Sequence, residues 1–184
     1  MSITRPCSVG LIVFTLIAHN GFAQSEPDSW RQHASASATS IQFEPELRSE
    51  VDRMLERSAT FREQFGRIAD APSLIVGVHT DVTLCATSFR ARTTFRRYRS
   101  GLIVANVTIA PNAHPGEWIA HEFEHILELL DGRNLTQLAS SNAKDVWFSG
   151  IDVIETDRAI RAGRTVPDEM QQSEKLEKHA QNTR

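Results

Sequence analysis

The chain has 184 residues, with 20 Lys and Arg against 23 Asp and Glu, a formal net charge of −3 and 40% hydrophobic residues. That is the profile of an ordinary globular chain. Nothing in this mildly acidic balance points to a nucleic-acid partner.

Residues 1–23 read as a secretory signal peptide. Arg5 supplies an early positive charge, residues 9–18 are an uncharged apolar run, and Gly21-Phe22-Ala23 places small residues where a signal peptidase cuts. The run is shorter than the roughly 20 residues of a bilayer span; a retained N-terminal anchor is the alternative. Cleavage after Ala23 leaves 161 residues and removes Arg5, so 19 basic residues face 23 acidic ones and the net charge becomes −4. Cys7 precedes the apolar run, which argues against a lipoprotein, and leaves with it. Cys85 then has no partner for an internal disulfide. The expected location is the periplasm or the extracellular space.

Residues 24–43 are rich in Ser, Ala, Gln and Asp and read as a flexible mature N-terminus. The main domain is expected over 44–166. From Glu44 to Ile68, Leu47, Val51, Met54, Leu55, Phe61, Phe65 and Ile68 recur at helical spacing, giving one helix or two broken near Ser58. Residues 73–82 are β-branched and short, which predicts a strand. Ser100-Gly101 predicts a hairpin turn between strands at 93–99 and 102–109. In the second of these, Ile103, Ala105, Val107 and Ile109 alternate with polar or smaller residues.

Pro115 opens the next predicted helix and Asp131-Gly132 closes it. Residues 133–144 are polar and loop-like. A further helix is expected over 145–162, followed from 167 to 184 by a charged tail, partly helical or disordered. There are no internal repeats.

The helix at 115–130 carries His121-Glu122-Phe123-Glu124-His125, the pattern H-E-x-x-H. Positions four apart share a helix face, so both imidazoles can reach one metal ion. Glu122 stands about 100° round from His121, placed to act on a water rather than to ligate. Trp118, Ile119, Phe123, Ile126 and Leu130 form the apolar arc, while Glu117, Glu124 and Glu128 form a polar edge. Two blander readings compete: solvated His–Glu pairs on a helix surface, and half of a di-iron site. The second needs another E-x-x-H, which the chain lacks.

A catalytic zinc takes three protein ligands, and no histidine lies between His125 and His179. Glu155, 30 positions after His125, is therefore the expected third ligand, with Asp152 in reserve. Ala159 and Ala162 continue the Glu155 face and would let its helix pack closely. The plain alternative for Glu155 is a surface pair with Arg158.

The two segments "WIAHEFEHILE" and "VIETDRAIRAGRTVPDEM" together resemble the zincin superfamily in its glutamate-ligand branch, and within it small exported bacterial proteins. The shared pattern falls on His121, Glu122, His125, Glu128, Glu155, Thr156, Ala159, Gly163 and Val166, and the likeness runs from about Leu74 to Val166. It implies an α+β, zincin-like fold with a small twisted sheet packed on the active-site helix. It also implies a Zn2+ cofactor on His121, His125 and Glu155, with Glu122 as general base and Glu128, with Asp157, orienting the ligands. A peptide or protein substrate would pair along the edge strand at 102–109, between Leu102 and Ile109. The expected activity is that of a zinc metallopeptidase. The alternatives are a non-catalytic metal-stabilised envelope binding protein and an anion-binding envelope protein with an accidental motif.

His114 is read as a helix cap rather than a ligand, and His79 as a core or edge histidine. Arg90, Arg92, Arg96, Arg97 and Arg99, interleaved with Phe89, Phe95 and Tyr98, are read as a solvated hairpin face. Were that face to bind anything, acidic polymers or peptides would suit it best.

Overall fold

The computed structural model describes residues 40–87, 89–150 and 153–183. The expected signal peptide, Cys7 and the reserve ligand Asp152 lie outside them. Among the described residues no helix is long and apolar enough to cross a membrane.

The architecture is α+β. In chain order it has β1 (Ile41–Phe43), α1 (Pro45–Arg57), α2 (Ala59–Ala69), β2 (Leu74–Thr80), a 3-10 turn (Val82–Ala86), β3 (Ala91–Arg97) and β4 (Ile103–Ile109). There follow α3 (Pro115–Leu130), α4 (Leu135–Ser140), β5 (Val146–Gly150), β6 (Val153–Thr156) and α5 (Asp157–Asn182). A four-stranded sheet has the order β1-β2-β4-β3, and β5 pairs with β6 in a separate two-stranded sheet. β1, β2 and β4 run parallel, while β3 is antiparallel to β4.

Alternation decides which face of the sheet is covered. Leu74, Val76 and Val78 of β2, with Ala105, Val107 and Ile109 of β4, are buried. They pack against Leu47, Val51, Met54, Phe61, Ile119, Phe123 and Ile126 of the helices in one apolar core. The opposite face, with Ile75, Gly77, His79, Val104 and Asn106, is half-buried or exposed. Phe61 and Phe123 stack with ring centroids 5.5 Å apart, tying α2 to α3. A second, smaller core of Leu135, Ala139, Val146 and Ile154 holds the β5–β6 hairpin on α4.

Several expectations hold. The first helix breaks at Ser58, whose hydroxyl caps α2 by accepting from the Phe61 N–H. The hairpin turns at Gly101, with φ +86°, and α3 stops before Gly132, with φ +72°.

Four are corrected. Residues 41–43, read as part of a flexible N-terminus, form β1, because Ile41 completes the buried layer beside Val76. The polar stretch 133–144 contains α4. The helix expected from Asp145 is two strands, and Glu155 sits on β6, not on a helix. Val146, Trp147, Val153 and Ile154 favour extended backbone; the helix begins only after Thr156, whose hydroxyl accepts from the Ala159 N–H. It then runs as α5 through Pro167 to Asn182, so the tail is helical. Finally, the strand at 102–109 is not an edge: β4 lies between β2 and β3, and the edge beside it is β3.

Candidate metal centre

α3 supplies two of the converging side chains. Its apolar arc enters the core except at Leu130, which is exposed, and α5 covers the polar edge, so residues 119–128 are all buried. The covering needs a small residue. An ideal Cβ on Gly163 would stand 3.1 Å from the Glu117 carbonyl oxygen and 3.2 Å from His121 Cβ. Ala159 and Ala162 are buried on the same helix. Of the polar edge, Glu124 is paired rather than solvated. Arg158 Nε donates to Glu124 Oε1 at 2.9 Å, and Gln64 Nε2 to Glu124 Oε2 at 2.8 Å.

β6 brings in the third group. Glu155 is 2% exposed, and its Oε1 lies 3.4 Å from His121 Nε2 and 3.7 Å from His125 Nε2. One ligand atom from each of His121, His125 and Glu155 lies within 4.8 Å of the others. Tetrahedral ligands about 2.0–2.1 Å from zinc stand about 3.4 Å apart, so the spacing fits an ion. His121 Nε2 is buried with no hydrogen-bond partner, a state proteins rarely leave without a use. Arg158, the expected surface partner of Glu155, bonds Glu124 and Asp131 instead.

The ring nitrogens are fixed from behind. Glu128 Oε2 lies 3.0 Å from His125 Nδ1. The same oxygen accepts from Thr156 Oγ1 at 3.2 Å, and Glu128 Oε1 accepts from Arg133 at 2.9 Å. Arg133 in turn donates to Asp145 Oδ2 at 2.6 Å. A histidine donating Nδ1–H to a carboxylate presents Nε2 to a metal in the required tautomer. The His121 ring bonds the Ala159 backbone. Thr156 also donates its N–H to Glu155 Oε1 at 2.8 Å, so one residue steadies both carboxylates. Asp157 does not join this arrangement. Its backbone N–H donates to the Asp145 carbonyl, and among the described residues no hydrogen bond joins its side chain to His121, His125 or Glu155.

Glu122 is fully buried beside them. Its Oε2 accepts from Thr93 Oγ1 of β3 at 2.6 Å, while its Oε1 has no hydrogen-bond partner. Burial pushes its carboxyl up to about 7, with the Thr93 bond and the His125 charge pulling the other way. Burial and the neighbouring His125 hold His121 well below its ordinary value, which keeps it a neutral donor. Burial opposes a charge on His125 too, but the bonds to Glu128 and Glu155 and the Glu122 charge outweigh it and raise that ring to about 9. Arg133 compensates Glu128, which leaves the buried carboxyls of Glu122 and Glu155 beside the two imidazoles, a setting that favours a bound cation.

Thr93, Arg133 and Asp145 are absent from the sequence reading because no local spacing links them to the motif. Trp147 stands directly opposite Glu155 in the hairpin register and is half-buried. His114 occupies the N-cap position of α3 without a side-chain cap bond. His79 Nε2 meets Thr108 Oγ1 at 3.3 Å. No family model, curated protein or solved structure matches the chain.

Proposed function

We propose that this chain is an exported zinc-dependent hydrolase, a metallopeptidase of the zincin kind that cleaves peptide bonds. One juxtaposition carries the reading: the buried donors of His121, His125 and Glu155 lie within 4.8 Å of one another, beside a buried Glu122 oxygen that has no partner. Two nitrogens and one oxygen make the donor set of a three-ligand catalytic zinc. When bound, zinc polarises a scissile carbonyl and lowers the pKa of water to roughly 7.

The chain's own residues do the rest. Thr93 holds Glu122 Oε2, which leaves Oε1 to take a proton from the attacking water and return it to the leaving amine. Glu128 and Thr156 hold His125 and Glu155 in orientation. A substrate strand would add to the outer edge of β3, which pairs with no strand among the described residues and whose Thr93 touches Glu122, rather than to β4. Export is supported by the early Arg5, the apolar run at 9–18 and Ala23.

A second reading has an observation of its own. His125 is 0% and Glu155 2% exposed, burial that also suits a closed structural site in a non-catalytic envelope binding module. Glu122→Gln separates the two. In a peptidase it retains zinc and lowers turnover of a peptide library about a hundredfold or more. Zinc-loaded wild-type protein that cleaves no member of the library would overturn the hydrolase reading and leave the structural one.

A further inference from the structure

We propose that the substrate of this site is an acidic peptide segment, captured along the outer edge of β3 by Arg92, Arg96, Arg97 and Arg99; this rests on the hydrolase reading above. The inner edge of β3 is paired with β4 from Ala91↔Ile109 to Arg97↔Ile103. Among the described residues its outer edge pairs with no strand. The backbone N–H and C=O groups of Ala91, Thr93 and Arg97 lie on that edge, where an extended chain can pair with them. The edge also passes the reacting group, because Thr93 at its centre donates to Glu122 at 2.6 Å.

The charge around this edge is one-sided. Between Asp81 and Glu117 the chain has no acidic residue, yet it has Arg90, Arg92, Arg96, Arg97 and Arg99. This stretch lies in a protein whose formal net charge is −3. Among the described residues none of these five forms an ion pair. Arg53, Arg57, Arg67, Arg133 and Arg158 all do. Arg90 bonds Asn112 at 3.3 Å, and Arg96 lies 5.4 Å over the Tyr98 ring. Arg92 feels the Asp81 charge, but its Nε is buried with no hydrogen-bond partner. Arg96, Arg97 and Arg99 are exposed.

The positions suit an added strand. Side chains alternate across a strand, so Arg92 and Arg96 share the face opposite Thr93. Arg97 shares the Thr93 face, about 13 Å further along the strand. A peptide laid on this edge has its own alternating side chains beside both sets. Guanidinium groups bind carboxylates through paired hydrogen bonds, so glutamate and aspartate on the peptide meet matched partners. Basic residues there would be repelled.

The test uses purified Glu122→Gln protein with and without zinc, so that peptides bind without being cut. Fluorescence anisotropy follows three labelled peptides of equal length, rich in glutamate, in lysine, or in serine and glycine, beside a single-stranded oligonucleotide. The glutamate-rich peptide should bind about tenfold more tightly than the neutral one and lose most of that advantage in 0.5 M salt. Replacing Arg96, Arg97 and Arg99 together with Gln should reduce it to the neutral level without changing the thermal midpoint. Equal binding of neutral and acidic peptides would overturn the proposal. So would an unchanged preference in the triple variant, which would leave the arginines as guards of an exposed edge, or tighter binding of the oligonucleotide. Failure of the metal reading shows separately: zinc would then fail to bind, while the charge preference is still read without it.

Discussion

Glu128 Oε2 stands 3.0 Å from His125 Nδ1, and its other oxygen accepts from Arg133 at 2.9 Å. Both the imidazole and the carboxylate are fully buried. A buried carboxylate keeps its charge only if a partner compensates it, and Arg133 is that partner. The orientation of the His125 ring therefore depends on Arg133, two hydrogen bonds away.

Arg133→Met should leave Glu128 uncompensated and lower stability by about 3 kcal/mol. In the protein that remains folded, zinc affinity should fall about 10- to 100-fold. Arg133→Lys should recover part of both. Calorimetric titration of zinc, beside thermal melts of the metal-free proteins, separates affinity from stability.

Gly163 tests the packing of α5 on α3. A helical glycine replaced by alanine normally gains about 1 kcal/mol. Here the added Cβ would lie 3.1 Å from the Glu117 carbonyl oxygen and 3.2 Å from His121 Cβ. The steric term should win, with Gly163→Ala losing about 1–2 kcal/mol and binding zinc less tightly because His121 is displaced. Gly163→Val should be worse on both counts in melts and zinc titration.

Glu169 of α5 caps α2 at a distance. It accepts from Ser58 Oγ at 2.5 Å, Thr60 N at 3.1 Å and Thr60 Oγ1 at 2.8 Å. Burial works to raise its carboxyl, but these bonds prevail and hold it below 4.5. A folded-state pKa below the unfolded one gives stability that is present above the unfolded value, about 4.3, and lost as the pH falls through the folded value. Glu169→Gln should therefore cost about 1 kcal/mol at pH 7 and flatten the decline below pH 4. Denaturant melts of metal-free protein across pH 3–7 check this.

What sequence could reveal follows the range of the interactions. Helix α3, its stop before Gly132 and the pair His121 and His125 are local features, set by a 3.6-residue period and a glycine. Leu47 to Ile68 is legible as helix from its apolar spacing, as one helix or two broken near Ser58; the Ser58 cap decides for two. Glu155 was recoverable from the chemistry of a third ligand, but its strand was not. The alanines at 159 and 162 suggested helix there, and the better signal was Thr156-Asp157 as a helix start after Val153-Ile154. The edge position of β3 is hidden because β2 pairs directly with β4, its neighbour in the sheet but not in the chain. Thr93, Arg133 and Asp145 reach the site only through tertiary packing, which no spacing records.

The proposed zinc site stands or falls on His121, His125 and Glu155. Its most direct test is metal content by mass spectrometry on purified wild-type protein and on Glu155→Ala, neither exposed to a nickel column. About one zinc per wild-type chain is expected, lost or sharply weakened in the variant. No zinc after incubation with a modest excess would contradict it and return the two histidines to an ordinary buried helix. Zinc held equally well without Glu155 would contradict the ligand set.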